Sequence, residues 1–210
     1  MRVLILGATG LVGSSSLEQA LTHPSITHVV APTRKRLPPN RKLTNPVSAQ
    51  LQLLLPEVIA WRLDAVICAL GTTIGKAKSK EAFRQVDYVL PLAFARAAHQ
   101  EGAETFALVS AIGASVSSSF LYPKTKGEVE RDIKLVGFRS LTILRPSIIG
   151  GKREDSRFAE GVALALSRIL APVLPKKLHV NPAAKIAGAL VDSIVAAEPG
   201  CHYRYAESLV

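Results

Sequence analysis

The chain has 210 residues, 48% of them hydrophobic and 20% charged, which fits one domain with at most a small appendage and excludes a disordered chain. The formal net charge of +10 calls for an anionic partner: nucleic acid, a membrane surface or a phosphorylated small molecule. Two cysteines far apart, Cys68 and Cys201, exclude a disulfide framework and give no zinc-ligand spacing.

No basic leader with a long apolar stretch precedes the first strand, and no stretch reaches the ~18 uncharged apolar residues of a membrane span. The expectation is a cytoplasmic protein without a membrane span.

Arg2–Leu6 is a short apolar run of strand formers. Gly7-Ala-Thr-Gly10-Leu-Val-Gly13 follows at once, and Ser14–Leu21 reads as a helix. Strand, glycine turn, helix is the context that makes such a pattern a dinucleotide site. Gly7 lets the chain turn, Gly10 lets backbone approach a pyrophosphate, and Gly13 lets the helix pack close to the strand. The helix start offers unpaired N–H groups to phosphate. The expected contacts are Gly7, Thr9, Gly10, Leu11, Val12 and Gly13. The alternative is a tight turn without a ligand.

Thr27–Ala31 reads as the second strand. A site for the unphosphorylated dinucleotide places an acid about 20 residues after the turn, to take the ribose 2′-OH. Here Pro32-Thr-Arg-Lys-Arg36 offers none. Arg34, with Lys35, is therefore expected to hold a 2′-phosphate, which makes the cofactor NADP(H). Singly, Lys35, Arg36, Arg41 and Lys42 read equally well as a solvated loop. Between 43 and 50 a short third strand near Val47 and an adenine contact near Val47–Ala49 are expected, but no side chain identifies itself.

Gln50–Leu55 begins a helix stopped by Pro56. Asp64–Leu70 is a near-continuous apolar run, as in a strand covered on both faces, so Cys68 reads as a core residue. Gly71 at its end either allows close approach of the cofactor or is a plain turn glycine. Ser79–Gln100 is an amphipathic helix with Ser79 as N-cap and a kink expected at Pro91. Asp87 and Tyr88 within it read as structural. Thr105–Val109 is a strand delivering Ser110.

Tyr122-Pro-Lys-Thr-Lys126 opens the next helix, twelve residues after Ser110. Tyr122 and Lys126 stand four apart and share a face. A phenol has a pKa of about 10, and a neighbouring ammonium favours its ionised form. Ser110 is placed to donate to a carbonyl or alkoxide oxygen between them.

These residues together resemble the short-chain dehydrogenase/reductase superfamily. The Gly7-x-x-Gly10-x-x-Gly13 spacing matches its extended and atypical branches. Leu108-Val-Ser-Ala-Ile-Gly-Ala114 and Phe120-Leu-Tyr-Pro-Lys-Thr-Lys-Gly-Glu-Val-Glu130 are similar to the Tat-interacting-protein group and to bacterial oxidoreductase-like proteins. The resemblance implies Tyr122 as proton donor or acceptor, Lys126 on the nicotinamide ribose and tuning the tyrosine, and Ser110 orienting the substrate. It places Pro146 near the nicotinamide. Many members use an asparagine on the helix after the fourth strand for a proton relay; this chain offers Asp87-Tyr88 there.

The expected architecture is a single α/β domain over 1–210, a doubly wound parallel sheet of Rossmann type. Residues 151–210 are expected to form a small helical substrate-side lobe. After Ser140–Leu144, a strand, come a polar loop at 150–156, helices at 158–170 and 182–197, and a tail. Basic residues at 34–42, 76–80 and 152–153 all follow strands, so an electropositive rim is expected over the cofactor cleft, suited to an anionic substrate. Aromatics are 5% of the chain and do not interleave with these loops, so nucleic acid is not the expected partner. Oligomerisation stays open. The function implied is NADPH-dependent hydride transfer to a carbonyl or similar acceptor. The alternative is an NADPH-binding sensor for a protein partner.

Overall fold

The computed structural model describes residues 1–150 and 180–209. Seven strands form one sheet: β1 (Arg2–Leu6), β2 (His28–Val30), β3 (Leu43–Thr44), β4 (Ala65–Cys68), β5 (Thr105–Val109), β6 (Ser140–Arg145) and β9 (Gly200–Tyr205). Their order is β3-β2-β1-β4-β5-β6-β9, and every neighbouring pair is parallel. A second sheet pairs β7 (Ile149–Gly150) with β8 (Asn181–Pro182).

Parallel neighbours need crossovers, and these place helices on both faces. On one face lie α1 (Leu11–Thr22) and α7 (Ala183–Ala196), packed on Val3, Ile5, Ile67, Ala107 and Leu144. On the other lie α2 (Val58–Trp61), α5 (Leu90–Gln100) and α6 (Leu121–Lys134), over Leu4, Leu6, Val66, Phe106 and Ile143. Alternate residues of each central strand enter different cores, which is why these strands read as continuous apolar runs. Full burial of each such side chain contributes roughly 1.5–3 kcal/mol. Cys68 is one of them; burial pushes its thiol up to about 11.

Four local readings are refined. Residues 51–57 form a 3-10 stretch, with Pro56 inside it, leading into α2. The third strand is β3; Val47 makes only an isolated parallel bridge with Thr33. The Ser79–Gln100 helix divides into α4 (Lys80–Arg84), a π turn at Gln85–Val89 and α5. Within the span 151–210, α7 and β9 join the central sheet: α7 packs on α1 and β9 pairs with β6. The polar loop and the helix expected at 158–170 lie outside the described residues.

Asn181 ties the returning chain down. Its buried amide accepts from the Ser147 N–H at 2.8 Å and donates to the Ala206 carbonyl at 2.8 Å.

The chain winds outward in both directions from β1 and β4, so the order reverses between them. Ligands of such sheets bind at the strand carboxyl ends beside that reversal. The closest approach in this region is glycine on backbone: a Cβ on Gly13 would lie 2.0 Å from the Gly7 carbonyl oxygen. Gly13→Ala is therefore expected to lower stability by ~1–3 kcal/mol or more in urea denaturation. Gly75→Ala, where a Cβ meets nothing within 4 Å, is expected to stay within about 0.5 kcal/mol of the parent.

Candidate active site

The site begins at the bend after β1. Gly7 has φ +84°, and a Cβ there would lie 2.6 Å from the Ala69 carbonyl oxygen, so the bend sits against the exit of β4. Gly10 N–H donates to the Gly7 carbonyl at 2.8 Å. Gly10 caps α1 without a side-chain bond, and the first turn holds no acid. No carboxylate of the first turn compensates the positive end of the helix. Thr9 and Gly10 are exposed, Leu11 is half-buried, and Val12 and Gly13 are buried. A glycine-capped helix start of this kind suits a diphosphate.

Arg34 and Lys35, after the end of β2, are exposed. Loop 45–48 lies alongside them: Thr33 N–H donates to Pro46 O and Ser48 N–H to Thr33 O, both at 3.0 Å. Asn45 pins both loops through Ala31 O, Thr33 Oγ1 and Leu37 N–H. No Asp or Glu occurs between Glu18 and Glu57, so this end offers no carboxylate to a ribose hydroxyl.

The rim expected over 34–42 needs correction at its far end. Lys42 Nζ donates to the carbonyls of His23 and Ile26, at 3.3 and 3.0 Å. These close the connection from α1 to β2, at the opposite edge of the sheet. A crossover between parallel strands must traverse the sheet, so only its beginning lies by the cleft. Arg34, Lys35 and Arg36 remain there, and Lys76, Lys78 and Lys80 are exposed after β4. Lys152 and Arg153 lie outside the described residues.

On α6, Tyr122, Lys126 and Glu130 follow at intervals of four. The Tyr122 side chain is 40% exposed, with its ring 5.9 Å from that of Phe83. Lys126 is 4% exposed, and its Nζ lies 2.8 Å from Asp87 Oδ1. The other Asp87 oxygen accepts from Thr72 N–H at 2.8 Å. A Cβ on Gly71 would sit 3.5 Å from Asp87 Oδ1 and 3.8 Å from Lys126 Nζ, so the exit of β4 runs directly beside this pair. Burial acts to lower the Lys126 pKa, but the Asp87 carboxylate and the Tyr122 phenol outweigh it and hold the pKa above its ordinary value.

Asp87 was assigned a structural role by sequence, yet it stands at the centre of the candidate site. Its position follows from Pro91, which lacks an N–H and crowds the carbonyl four residues before it, that of Asp87. The helix widens there, with Leu90 N–H donating to Gln85 O five residues back. Such π turns recur at functional sites. Pro91 thus widens the helix where a kink was expected. Tyr88 has a structural contact: its hydroxyl donates to Asp132 at 2.7 Å.

Ser110 is buried at the end of β5, and its hydroxyl donates to Glu130 Oε1. Arg145 Nε donates to the same oxygen at 3.0 Å, and its guanidinium lies 4.9 Å from the Tyr203 ring centroid. The Ser110 proton is thus directed into the protein. Pro146 is buried and its carbonyl accepts from Ile112 N–H at 2.9 Å, which pins the loop after β5. That loop lies on α6, where a Cβ on Gly127 would come within 2.3 Å of the Ser115 backbone.

The structure thus brings Gly71, Tyr122 and Lys126 together, adds Asp87 and Glu130, and leads the Gly7–Gly13 bend, Arg34, Ser110 and Pro146 to the same edge of the sheet. Glu130 carried a readable signal, its eight-residue offset from Tyr122 on a helix; Asp87 had only its place on the helix after β4.

A glycine bend under a doubly wound sheet, beside a Tyr122–Lys126 helix, defines the short-chain dehydrogenase/reductase fold in its atypical form. Solved structures agree at the level of fold. The Bordetella bronchiseptica enzyme WbmH, crystallised with NAD+, matches 97% of this chain and 75% of its own with a TM-score of 0.73 and 16% identity. MoeE5, in complex with UDP-glucose and NAD, matches 97% and 75% with a TM-score of 0.74 and 17% identity. The chain belongs to the HIM1 family, whose model matches residues 39–175. Among its relatives, "Protein fmp52, mitochondrial" of Aspergillus fumigatus is 38% identical over 183 residues, covering 81% of this chain and 76% of the relative. "Protein FMP52, mitochondrial" of Candida albicans is 38% identical over 165 residues, covering 74% and 70%.

These names overturn the cytoplasmic expectation. That expectation rested on the want of a secretory pattern, which carries no information on mitochondrial delivery. Among the described residues no helix is long and apolar enough to cross a membrane.

Removing one partner of a buried ion pair costs about 3–5 kcal/mol. Asp87→Ala is expected to lower stability by about that much at pH 7 in urea denaturation. Because the folded-state Lys126 pKa is raised above 10.5, its contribution is complete below pH 10.5 and is lost as pH rises through the folded value. The gap between parent and variant is therefore expected to narrow above that pH.

Proposed function

We propose that the protein is an NADP(H)-dependent oxidoreductase that reduces the carbonyl group of a small molecule. The observation that carries this reading is the meeting, at one sheet edge, of the Gly7–Gly13 bend and the Tyr122–Lys126 pair beside Gly71. Gly7, Gly10 and Gly13, with the N–H groups of Leu11 and Val12 and the Thr9 side chain, would hold the diphosphate. Arg34, assisted by Lys35, would take the 2′-phosphate. Gly71 and Pro146 would border the nicotinamide.

When bound, the nucleotide would supply a hydride, with both electrons, for the carbonyl carbon. Tyr122 would give its phenolic proton to the carbonyl oxygen, which completes the alcohol. Lys126, kept charged by Asp87, would hold the nicotinamide ribose. Such a general-acid step contributes about 10²–10⁴ in rate. The mitochondrial names of the relatives favour a mitochondrial setting for this chemistry.

A second reading, a nucleotide-binding sensor with little turnover, is favoured by one feature. The Ser110 proton is committed to Glu130, and a carboxylate stands where a relay amide is expected. A panel of aldehydes, ketones and quinones with NADPH separates the two. The reductase reading expects consumption by the parent, and its loss by at least a hundredfold in Tyr122→Phe with NADPH affinity within twofold. No consumption across the panel favours the sensor.

Calorimetry tests the cofactor choice. Charged hydrogen bonds contribute about 1.5–3 kcal/mol, so Arg34→Ala is expected to weaken NADPH binding roughly ten- to hundredfold. NADH binding is expected to change less than twofold. Equal affinity of the parent for both nucleotides would contradict the 2′-phosphate assignment.

A further inference from the structure

The carboxyl edge that carries Tyr122 is divided by charge. At the β2 end stand Arg34, Lys35 and Arg36, all exposed. At the β5 and β6 end, residues 109–123 and 146–150 contain no Asp, Glu, Lys or Arg. Lys76, Lys78 and Lys80 lie between, after β4, with their side chains in solvent.

The uncharged half displays apolar side chains. Twelve large hydrophobic residues are exposed among those described, and five are Tyr122 with Ile112, Val116, Phe120 and Ile148. The last four come from the segments after β5 and β6. Phe120 is 78% exposed and Ile148 56%. Exposed apolar residues scattered singly mean little; a group of them on the loops of one candidate site marks a ligand surface.

The loops bearing them are held in place. Ile112 N–H is bonded to Pro146 O, Ser115 N–H to Pro123 O at 3.0 Å, and Asn181 N–H to Ile148 O at 2.8 Å. The apolar groups are thus presented on fixed backbone beside the phenol, which reduces the ordering cost of binding.

We propose that this collar is the substrate subsite and receives the hydrocarbon body of an alkyl ketone or aldehyde, with the carbonyl towards Tyr122. This rests on the reductase reading above. A nucleotide sugar, the ligand of MoeE5, brings a diphosphate, and among the described residues the loops 109–123 and 146–150 carry no cation to meet it.

The test is calorimetric titration of the full chain, with and without saturating NADPH, using the 2-alkanones from butanone to decanone and UDP-glucose. Burial of a methylene contributes about 0.8 kcal/mol, so affinity is expected to rise about fourfold per added carbon. Phe120→Asp and Ile148→Asp replace exposed side chains and are expected to flatten that rise, with NADPH affinity within twofold. Affinity independent of chain length, or UDP-glucose binding more tightly than decanone, overturns the proposal. If NADPH fails to bind while the chain-length dependence persists, the reductase reading falls and the apolar subsite stands.

Discussion

One backbone contact sets the frame of the molecule. The first turn of α1 rests on the carbonyl of Gly7, closer than any side chain permits, and the Gly7 bend itself rests on the backbone at Ala69. β1, α1 and the exit of β4 are thereby fixed to one another at the place where the strand order reverses. Both halves of the edge are measured from this point: Arg34 lies one strand to one side, and the helix bearing Tyr122 lies beyond β4 on the other. The helix so placed is capped by Gly10, which has no side chain to bond the amides opening α1.

The second fixed point is electrostatic. Lys126 and Asp87 are both almost wholly withdrawn from water. Buried charges persist only as pairs with their remaining valences bonded, and the backbone N–H of Thr72 supplies one such bond. The pair joins α6 to the π turn before α5. Arg84–Glu128 and Tyr88–Asp132 join the same two segments on either side of it. An ammonium in this setting is positioned before any ligand arrives. Its orientation does not depend on a cofactor, and the Tyr122 side chain one turn before it is the more accessible of the two.

Much of this was legible in the sequence because it depends on local rules. The bend needed glycine at three spacings. The central strands needed apolar residues on both faces, which made Ala65–Cys68 and Thr105–Val109 stand out. The i, i+4 relation of Tyr122 and Lys126 is a property of any helix. What was not legible depends on distant partners. β9 looks like a polar tail because it is half exposed and, among the described residues, pairs with β6 alone. Lys42 looked like part of a basic loop until the crossover carried it to the far edge. Asp87 looked like any mid-helix acid, since its ion pair spans 39 positions and it lies in a π turn before Pro91. The mitochondrial relatives taught a different lesson: compartment follows from no packing rule.

The serine bears most directly on how the site can work. An hydroxyl has one proton and two lone pairs. With the proton on Glu130, and Glu130 held by Arg145, Ser110 has only acceptor capacity left for anything beyond. A carbonyl oxygen is also an acceptor, and two acceptors do not bond. A donor such as a phenol or an alcohol can bond to Ser110, and a ketone cannot while this arrangement holds. On the reductase reading proposed above, Tyr122 would polarise a carbonyl without help from the serine hydroxyl, and in the reverse direction Ser110 would accept from an alcohol. The buried Glu130–Arg145 pair thus fixes the direction of one hydrogen bond at the candidate site.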